Sequence, residues 1–215
     1  MQEDRRKWQQ SAEREAKRAL TALLPQLPES IRRQLVPILR FAYEFQISAH
    51  AVAAAPDHLV TGGRLPVFGV GHDSSTWELV NPGGRTVFLE DVSSWIDISA
   101  AESPDREVFM ITYETTLSES LHYEEPSDIP LPVVPDGLAS TRWDVVVLDG
   151  PYGWGPETPG RSASIALARR LVAPGGIVIV DDYNRPVERH SCDIVFGRPA
   201  DKMLDTVRPV ALFRC

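Results

Sequence analysis

From residue 64 to residue 182, apolar segments typical of buried strands alternate with segments typical of helices. Strands that are apolar throughout are typical of parallel sheets covered on both faces, and the intervening helices supply that cover. We therefore predict an α/β fold with a Rossmann-like, doubly wound, mostly parallel sheet. The predicted strands are RLPVFGVG, PGGRTVFLED, REVFMITYET, TRWDVVVLDG and PGGIVIVDD.

The residues before this alternation carry helical periodicity in three pieces separated by prolines. We predict an N-terminal helical cap at 1–55 and one Rossmann-like domain at 56–215. The last piece, Ile38–Ala55, predicts a helix with a broad apolar face. That face packs in the core, or its aromatic side chains form a lid over a ligand. The prolines are Pro25, Pro28 and Pro37, and the aromatic residues are Phe41, Tyr43 and Phe45.

Composition and charge limit the classes of ligand and the cell compartment that we expect for this chain. The formal net charge of −8 repels phosphate, so nucleic acid is not expected to bind. Two cysteines, Cys192 and Cys215, are too few for a disulfide framework and fit a reducing compartment. No apolar run approaches the roughly 20 residues of a membrane span, and the N-terminus lacks a secretory signal. We expect a cytoplasmic protein and leave a homodimer through residues 1–55 open.

Two polar segments follow the first two predicted strands, where doubly wound sheets bind ligands. Glycines in the first segment let the backbone approach a ligand, and the next helix offers free N–H groups. His72 in this segment acts as a base or, as we favour, hydrogen-bonds the loop. An acid after the second strand fits a residue that accepts hydrogen bonds from ribose hydroxyls, or a helix N-cap. The segments contain Gly69, Gly71, His72, Asp73 and Ser74, then Glu90 and Asp91.

The spacing of these segments distinguishes between cofactors. Glu90 follows Gly69 by 21 residues, close to the roughly 20 expected between a glycine turn and a ribose-binding acid. A dinucleotide site requires a third glycine three positions after Gly71, where this chain has Ser74. The missing glycine favours S-adenosylmethionine (SAM), which has no pyrophosphate.

The fourth and fifth predicted strands end in acids, Asp149 and Asp181-Asp182. These carboxylates can bind a cationic ligand group and deprotonate an acceptor hydroxyl as a general base, or they are ordinary strand-end caps. Arg161 could clamp a carboxylate in a bidentate manner or lie on the surface. The catalytic candidates are Asp149, Asp182, Tyr152 and Arg161, with Asp149 first as base.

Other segments carry weaker patterns. Glu114–Thr141 is rich in proline and acid, which predicts a long surface connection that frames the substrate mouth. Cys192 has no recognisable catalytic partner, which favours a structural cysteine over a nucleophile. No metal site is predicted, because His58, His122 and His190 show no ligand spacing.

Several motifs taken together resemble a known family. VFGVGHDSSTWELVNPGGRTVFLED, RWDVVVLDGPYG, PGRSASI and VDDYNRPVE occur in the order found in the plant glucuronoxylan 4-O-methyltransferase-like (polysaccharide biosynthesis) family. The resemblance covers about residues 64 to 190 and implies a class I methyltransferase fold in which Gly69–Ser74 and Glu90 hold SAM. It also implies that Asp149 and Asp181–Arg185 face a uronic acid acceptor, whose carboxylate Arg161 would meet. The family's HD-x-DR motif differs here, as Asp181-Asp182-Tyr183-Asn184-Arg185.

The function expected from these patterns is SAM-dependent O-methylation of a hydroxyl on a small or saccharide acceptor. One alternative keeps SAM and changes the reaction to a cyclisation that forms azetidine-2-carboxylate and methylthioadenosine. Another alternative is a non-catalytic binding module that uses the Rossmann-like frame as a scaffold. The nucleoside product distinguishes the first two, and a failure to bind SAM would favour the third.

Overall fold

The computed structural model describes residues 47–59, 62–205 and 209–215, with Leu23, Leu27, Pro28 and Ile31. Seven strands form one sheet in the order β3-β2-β1-β4-β5-β7-β6. Pairing is parallel from β3 to β5, and β7 is antiparallel to both β5 and β6. The strands are β1 (Arg64–Phe68), β2 (Arg85–Glu90), β3 (Glu107–Met110), β4 (Trp143–Leu148), β5 (Val172–Val180), β6 (Lys202–Asp205) and β7 (Val210–Arg214). The predicted Rossmann-like, mostly parallel sheet is confirmed.

Helices follow most of the strands, as the alternating pattern predicts. Among residues 47–59, 62–205 and 209–215 the α-helices are α1 (Ala49–Ala54), α2 (Ser74–Val80), α3 (Ser93–Glu102), α4 (Leu117–Ser120), α5 (Asp136–Ala139), α6 (Ser162–Leu171) and α7 (Pro186–Phe196). Helix α7 was not predicted. It begins at a proline, whose missing N–H costs nothing at a first helical position, and ends before Gly197 in a left-handed conformation.

The sheet carries a hydrophobic core on each face, because successive side chains of a strand point to opposite sides. In β4, Val145 and Val147 belong to the core that includes α1, whereas Val146 and Leu148 belong to the core that includes α6. All four side chains are fully buried. Continuous burial on both faces explains why this strand is apolar at every position from 145 to 148.

The described N-terminal segment is part of the sheet domain. The Ser48 hydroxyl caps α1 by accepting a hydrogen bond from the His50 N–H. Ile47 and Val52 are buried in the same core as Leu65 of β1. Residues 47–55 therefore share the core of the domain that was predicted to begin at 56. The division at 55 stays a prediction, and the candidate lid residues Phe41, Tyr43 and Phe45 lie outside the described residues.

The predicted connection at Glu114–Thr141 contains α4, α5 and a 3₁₀ turn at Pro126–Asp128. Ile129 and Leu138 are buried, and the Leu138 carbonyl accepts a hydrogen bond of 3.2 Å from the indole N–H of Trp143. The segment thus packs against the domain as well as crossing its surface. Within the described ranges, no helix is both long enough and apolar enough to cross a membrane.

Candidate active site

A cleft of about 830 Å³ opens where β1, β2, β4 and β5 end. In an open α/β sheet this is the edge where ligands bind, at the point where the strand order reverses between β1 and β4. All the site residues predicted from the sequence line this cleft, although their roles stay predictions. They are Gly69, Gly71, His72, Asp73, Ser74, Glu90, Asp91, Asp149, Tyr152, Arg161 and Asp182.

Two glycines form the floor of the cleft by backbone contact. Gly69 has a φ of +100°, and a Cβ there would lie 3.2 Å from the Gly150 nitrogen. A Cβ on Gly150 would lie 2.9 Å from the Gly69 Cα. Neither position accepts a side chain without a shift of the backbone. Both glycines line the cleft, so a ligand there meets backbone without side chains at these two positions.

Glu90 joins the loops after β1 and β2. One carboxylate oxygen accepts the Val70 N–H at 2.8 Å, and the other accepts the N–H groups of Asp91 at 2.9 Å and Val92 at 2.8 Å. Burial raises the pKa of Glu90, and the three N–H donors oppose that rise. Burial raises the pKa of Asp91 as well. The carboxylate of Glu90 is therefore fixed in the cleft wall, where the oxygen that accepts only the Val70 N–H can also accept a hydroxyl hydrogen.

The residues after Gly71 shape the rim. The Ser74 hydroxyl accepts the Gly71 N–H at 2.9 Å, and the Asp73 carboxylate accepts the Ile47 N–H at 2.8 Å. Asp73 occupies the N-cap position of α2 without making a side-chain cap bond to it. His72 meets Trp95 edge to face, with ring centroids 5.8 Å apart. These side chains hold the loop, and the segment that enters α1 reaches the cleft at Asp73.

Asp149 and Asp181 form a hydrogen-bonded pair of carboxyl groups at the ends of β4 and β5. Burial raises the pKa of Asp181 to about 8, and the neighbouring Asp149 adds to the rise. Burial also raises the pKa of Asp149 to about 6, a rise that the Arg161 guanidinium opposes. Near neutral pH, Asp181 therefore carries the proton and Asp149 the charge. The Asp149 side chain is 31% exposed, so this charge faces the cleft.

Arg161 lies beneath these acids, not on the surface. Its side chain is 5% exposed, and its guanidinium donates to the carbonyl oxygens of Asp181 at 2.6 Å and Asp149 at 2.9 Å. A third hydrogen bond of 3.1 Å reaches the Asp182 carboxylate. The guanidinium thus holds the two strand ends together. Three of its five N–H groups bind these internal groups, and its buried Nε has no hydrogen-bond partner among the described residues. The expected role of Arg161 as a clamp for an acceptor carboxylate stays a prediction.

Asp182 is held from two sides. Its carboxylate lies 2.7 Å from Arg185 as well as 3.1 Å from Arg161. Its φ of +55° is uncommon for a residue with a side chain. Such strain persists where the surroundings fix it, and it clusters at functional sites. Two guanidinium partners make Asp182 a weaker candidate base than Asp149.

The cleft also contains residues that the sequence did not single out, among them Trp95 and Trp154. Arg185 was expected there only as the end of the Asp181–Arg185 segment, and the structure places it in the cleft as well. Trp154 directly follows the recognised motif DGPYG, and a tryptophan in this glycine-rich loop was the available signal. In the described part of the chain no group of three or more His, Cys, Asp or Glu residues is arranged to hold a metal ion.

The cleft combines a glycine floor, a fixed carboxylate on one wall and a charged carboxylate on another. The floor and Glu90 fit a nucleoside whose ribose hydroxyls donate to a carboxylate. The acids at the ends of β4 and β5 fit a cationic group beside it, since opposite charges attract strongly in a partly desolvated cleft. Asp149 can also accept a proton from a hydroxyl group held there.

A family model described as IRX15/IRX15L/GXM matches residues 57–128 and 119–196. Arabinogalactan O-methyltransferase 2 of Arabidopsis thaliana is 35% identical over 154 residues, which cover 58% of this chain and 53% of that protein. Glucuronoxylan 4-O-methyltransferase 1 of the same plant is 30% identical over 187 residues, covering 75% of this chain and 66% of that protein. The chain spans about half the length of the first of these relatives.

A solved structure shares the fold. Cofactor-bound Rv0187 from MTB superposes with a TM-score of 0.52 at 17% sequence identity. The superposition covers 92% of this chain and 86% of that chain. At this identity the similarity concerns the fold alone.

Proposed function

Because the chain belongs to the IRX15/IRX15L/GXM family, we propose that it is a SAM-dependent methyltransferase that methylates a hydroxyl group of a saccharide. The resemblance noted in the sequence is thereby confirmed at the level of the family. One observation carries the proposal: a single cleft brings Gly69 and Glu90 together with Asp149. The residues expected to bind the cofactor and the residue expected to accept a proton therefore line the same cleft.

The residues present fit SAM. Glu90 would accept hydrogen bonds from the ribose hydroxyls, and the contact of Gly69 with Gly150 would leave room for the cofactor above the floor. Asp149 would lie near the cationic methionyl part. When bound, SAM supplies a methyl group on a positively charged sulfur.

Asp149 is the group that we assign to the acceptor hydroxyl. Its carboxylate faces the cleft and would accept the proton of the acceptor hydroxyl, whose oxygen would take the methyl group; bound SAM would supply that group and, once its methyl–sulfur bond is broken, leave as S-adenosylhomocysteine. Asp181 donates to Asp149 and Arg161 binds the backbone on either side, so both position the base. Most of the rate enhancement would come from holding the two reactants in line, since methyl transfer depends on near-attack geometry.

The names of the relatives support the acceptor class that we propose. They are methyltransferases named for glucuronoxylan and for arabinogalactan, both polysaccharides. We propose a polysaccharide or oligosaccharide acceptor with a sugar hydroxyl as the methylated group. A uronic acid residue is the first candidate, because the resemblance identified in the sequence points to it.

The proposal is tested with SAM carrying an isotope-labelled methyl group. The purified protein is incubated with glucuronoxylan oligosaccharides and, separately, with arabinogalactan oligosaccharides, and the sugars are analysed by mass spectrometry. We expect label in one of the two sugars with the native protein, and at least about a hundredfold less with Asp149→Asn. Binding of SAM without label in either sugar would refute the saccharide acceptor.

No described contact favours the cyclisation or the scaffold alternative, and the names of the relatives favour methyl transfer.

We further propose a cytoplasmic protein that binds neither nucleic acid nor membranes, with a homodimer as the oligomer to test. Cell fractionation tests the first statement and light scattering after gel filtration tests the last. Net charge supports the exclusion of nucleic acid, since −8 repels phosphate on average.

A further inference from the structure

Two large aromatic side chains stand exposed at the mouth of the cleft. Tyr152 is 60% exposed and Trp154 is 69% exposed, and their ring centroids lie 6.0 Å apart. Both line the same cleft as Asp149. Large apolar surfaces that face water beside a binding cleft mark sites of interaction, since burying them against a partner is favourable.

The loop that carries Trp154 is held by hydrogen bonds to its neighbours. The Leu117 N–H donates to the Thr158 carbonyl at 2.7 Å, and the Ser118 N–H donates to the Pro156 carbonyl at 3.1 Å. Within the loop, the Thr158 hydroxyl donates to the Gly155 carbonyl at 2.6 Å. The exposed indole therefore stands on a loop that is braced by α4, so a ligand that binds it does not have to order this backbone first.

Arg185 fixes one face of the indole. Its guanidinium carbon lies 4.5 Å from the centre of the Trp154 ring, within the range of a cation–π interaction. The same guanidinium lies 2.7 Å from the Asp182 carboxylate, which also binds Arg161. A chain of charged contacts thus connects Trp154 to the strand ends that carry Asp149. The distance between the indole and the proposed base is set by these contacts.

We propose that Trp154, fixed by Arg185, is the surface on which a sugar ring of the acceptor stacks while its hydroxyl meets Asp149. The C–H bonds on one face of a pyranose carry partial positive charge, which suits the negative face of an indole ring. Arg185 covers one face of Trp154 and leaves the remaining exposed surface for the sugar. Tyr152 borders the same surface. This inference rests on the proposed function and adds the residues that select a sugar ring.

The test uses three variants of the full chain with the oligosaccharide that the native protein methylates. Trp154→Ala removes the ring, Trp154→Phe keeps an aromatic face, and Val133→Ala removes a comparable exposed apolar group, 90% exposed and outside the cleft. KM for the oligosaccharide, kcat, and the Kd for SAM by calorimetry are measured for each. Quenching of tryptophan fluorescence by the oligosaccharide gives a binding readout without turnover.

We expect Trp154→Ala to raise the oligosaccharide KM about tenfold, equivalent to about 1.4 kcal/mol, with an unchanged Kd for SAM. Trp154→Phe should recover most of the loss, and Val133→Ala should behave as the native chain. The inference is overturned if Trp154→Ala keeps the native KM, or if Trp154→Ala weakens SAM binding to the same extent. A native chain that transfers no methyl group fails the proposed function instead, before the variants are compared.

Discussion

Replacing Glu90 by glutamine tests whether one carboxylate both holds the cleft together and binds the cofactor. The two carboxylate oxygens accept three backbone N–H groups, those of Val70, Asp91 and Val92. Glutamine has one oxygen, so its amide nitrogen must face at least one N–H donor. In the best orientation only the Val70 N–H loses its acceptor.

The magnitude follows from that single loss. A buried N–H without an acceptor costs about 1–3 kcal/mol, and a domain of this size loses roughly 2–4 °C in Tm for each kcal/mol. We expect Glu90→Gln to lower the Tm by about 4–8 °C for a cost of about 2 kcal/mol. The loss of charge-assisted hydrogen bonds to the ribose should also weaken SAM binding about tenfold or more.

Glu107 supplies a matched control on the neighbouring strand. It pairs with Arg85 at 2.6 Å, but both side chains are about 40% exposed. The same substitution there, Glu107→Gln, should change the free energy of unfolding by at most about 1 kcal/mol and leave SAM affinity unchanged. Thermal melts and calorimetric titration measure both effects. A Glu90→Gln variant with native Tm and native SAM affinity would refute this assignment of the carboxylate.

Four further predictions concern the floor and the acids of the cleft. Because burial raises the pKa of Asp149 to about 6, kcat should rise with pH through about that value, and Asp149→Asn should lower kcat about 10²–10⁴-fold and also weaken SAM binding, since the charge near the methionyl part is lost. The raised pKa of Asp181 means that the folded state holds a proton that the unfolded state releases above about pH 4, so this acid stabilises the fold at low pH and the benefit fades as pH rises toward 8. Asp181→Asn should therefore melt higher than the native chain at pH 8 but not at pH 4, and an equal difference at both pH values would contradict the shift. Gly150→Ala should cost about 1–3 kcal/mol in chemical denaturation, because its Cβ would meet the backbone of Gly69, whereas Gly137→Ala, with open space around it, should not destabilise. Arg161→Lys keeps the charge but cannot bind both strand ends, so it should lower kcat and Tm together, and a native Tm would show that the guanidinium does not join them.

The strand ends could be predicted from the sequence because burial on both faces leaves a distinct pattern. The strands β1, β2, β4 and β5 are mostly apolar and have a glycine or an acid directly after them, and parallel strands bring those ends to one edge. The pattern places Gly69, Glu90, Asp149 and Asp182 together without reference to contacts. The strands β6 and β7 were not predicted because only residues 206–209 separate them, too few for the helix whose alternation with strands identified the others.

The role of Arg161 could not be predicted from its position in the chain. An arginine after a glycine can lie on the surface or in the core, and only the fold shows that its donors meet the carbonyls at the ends of β4 and β5. The contact of Trp154 could not be predicted either, because an aromatic residue in a loop gives no indication of which side chain packs against its ring. Its contact with Arg185 joins segments 31 residues apart, and such pairing depends on the tertiary structure.

We propose that this cleft holds SAM for transfer of its methyl group to a separate acceptor. Mass spectrometry of the nucleoside products tests this after the pure protein is incubated with SAM, with and without glucuronoxylan oligosaccharides. We expect S-adenosylhomocysteine that forms only when the oligosaccharide is present. Release of methylthioadenosine from SAM alone would contradict it and would establish the cyclisation in its place.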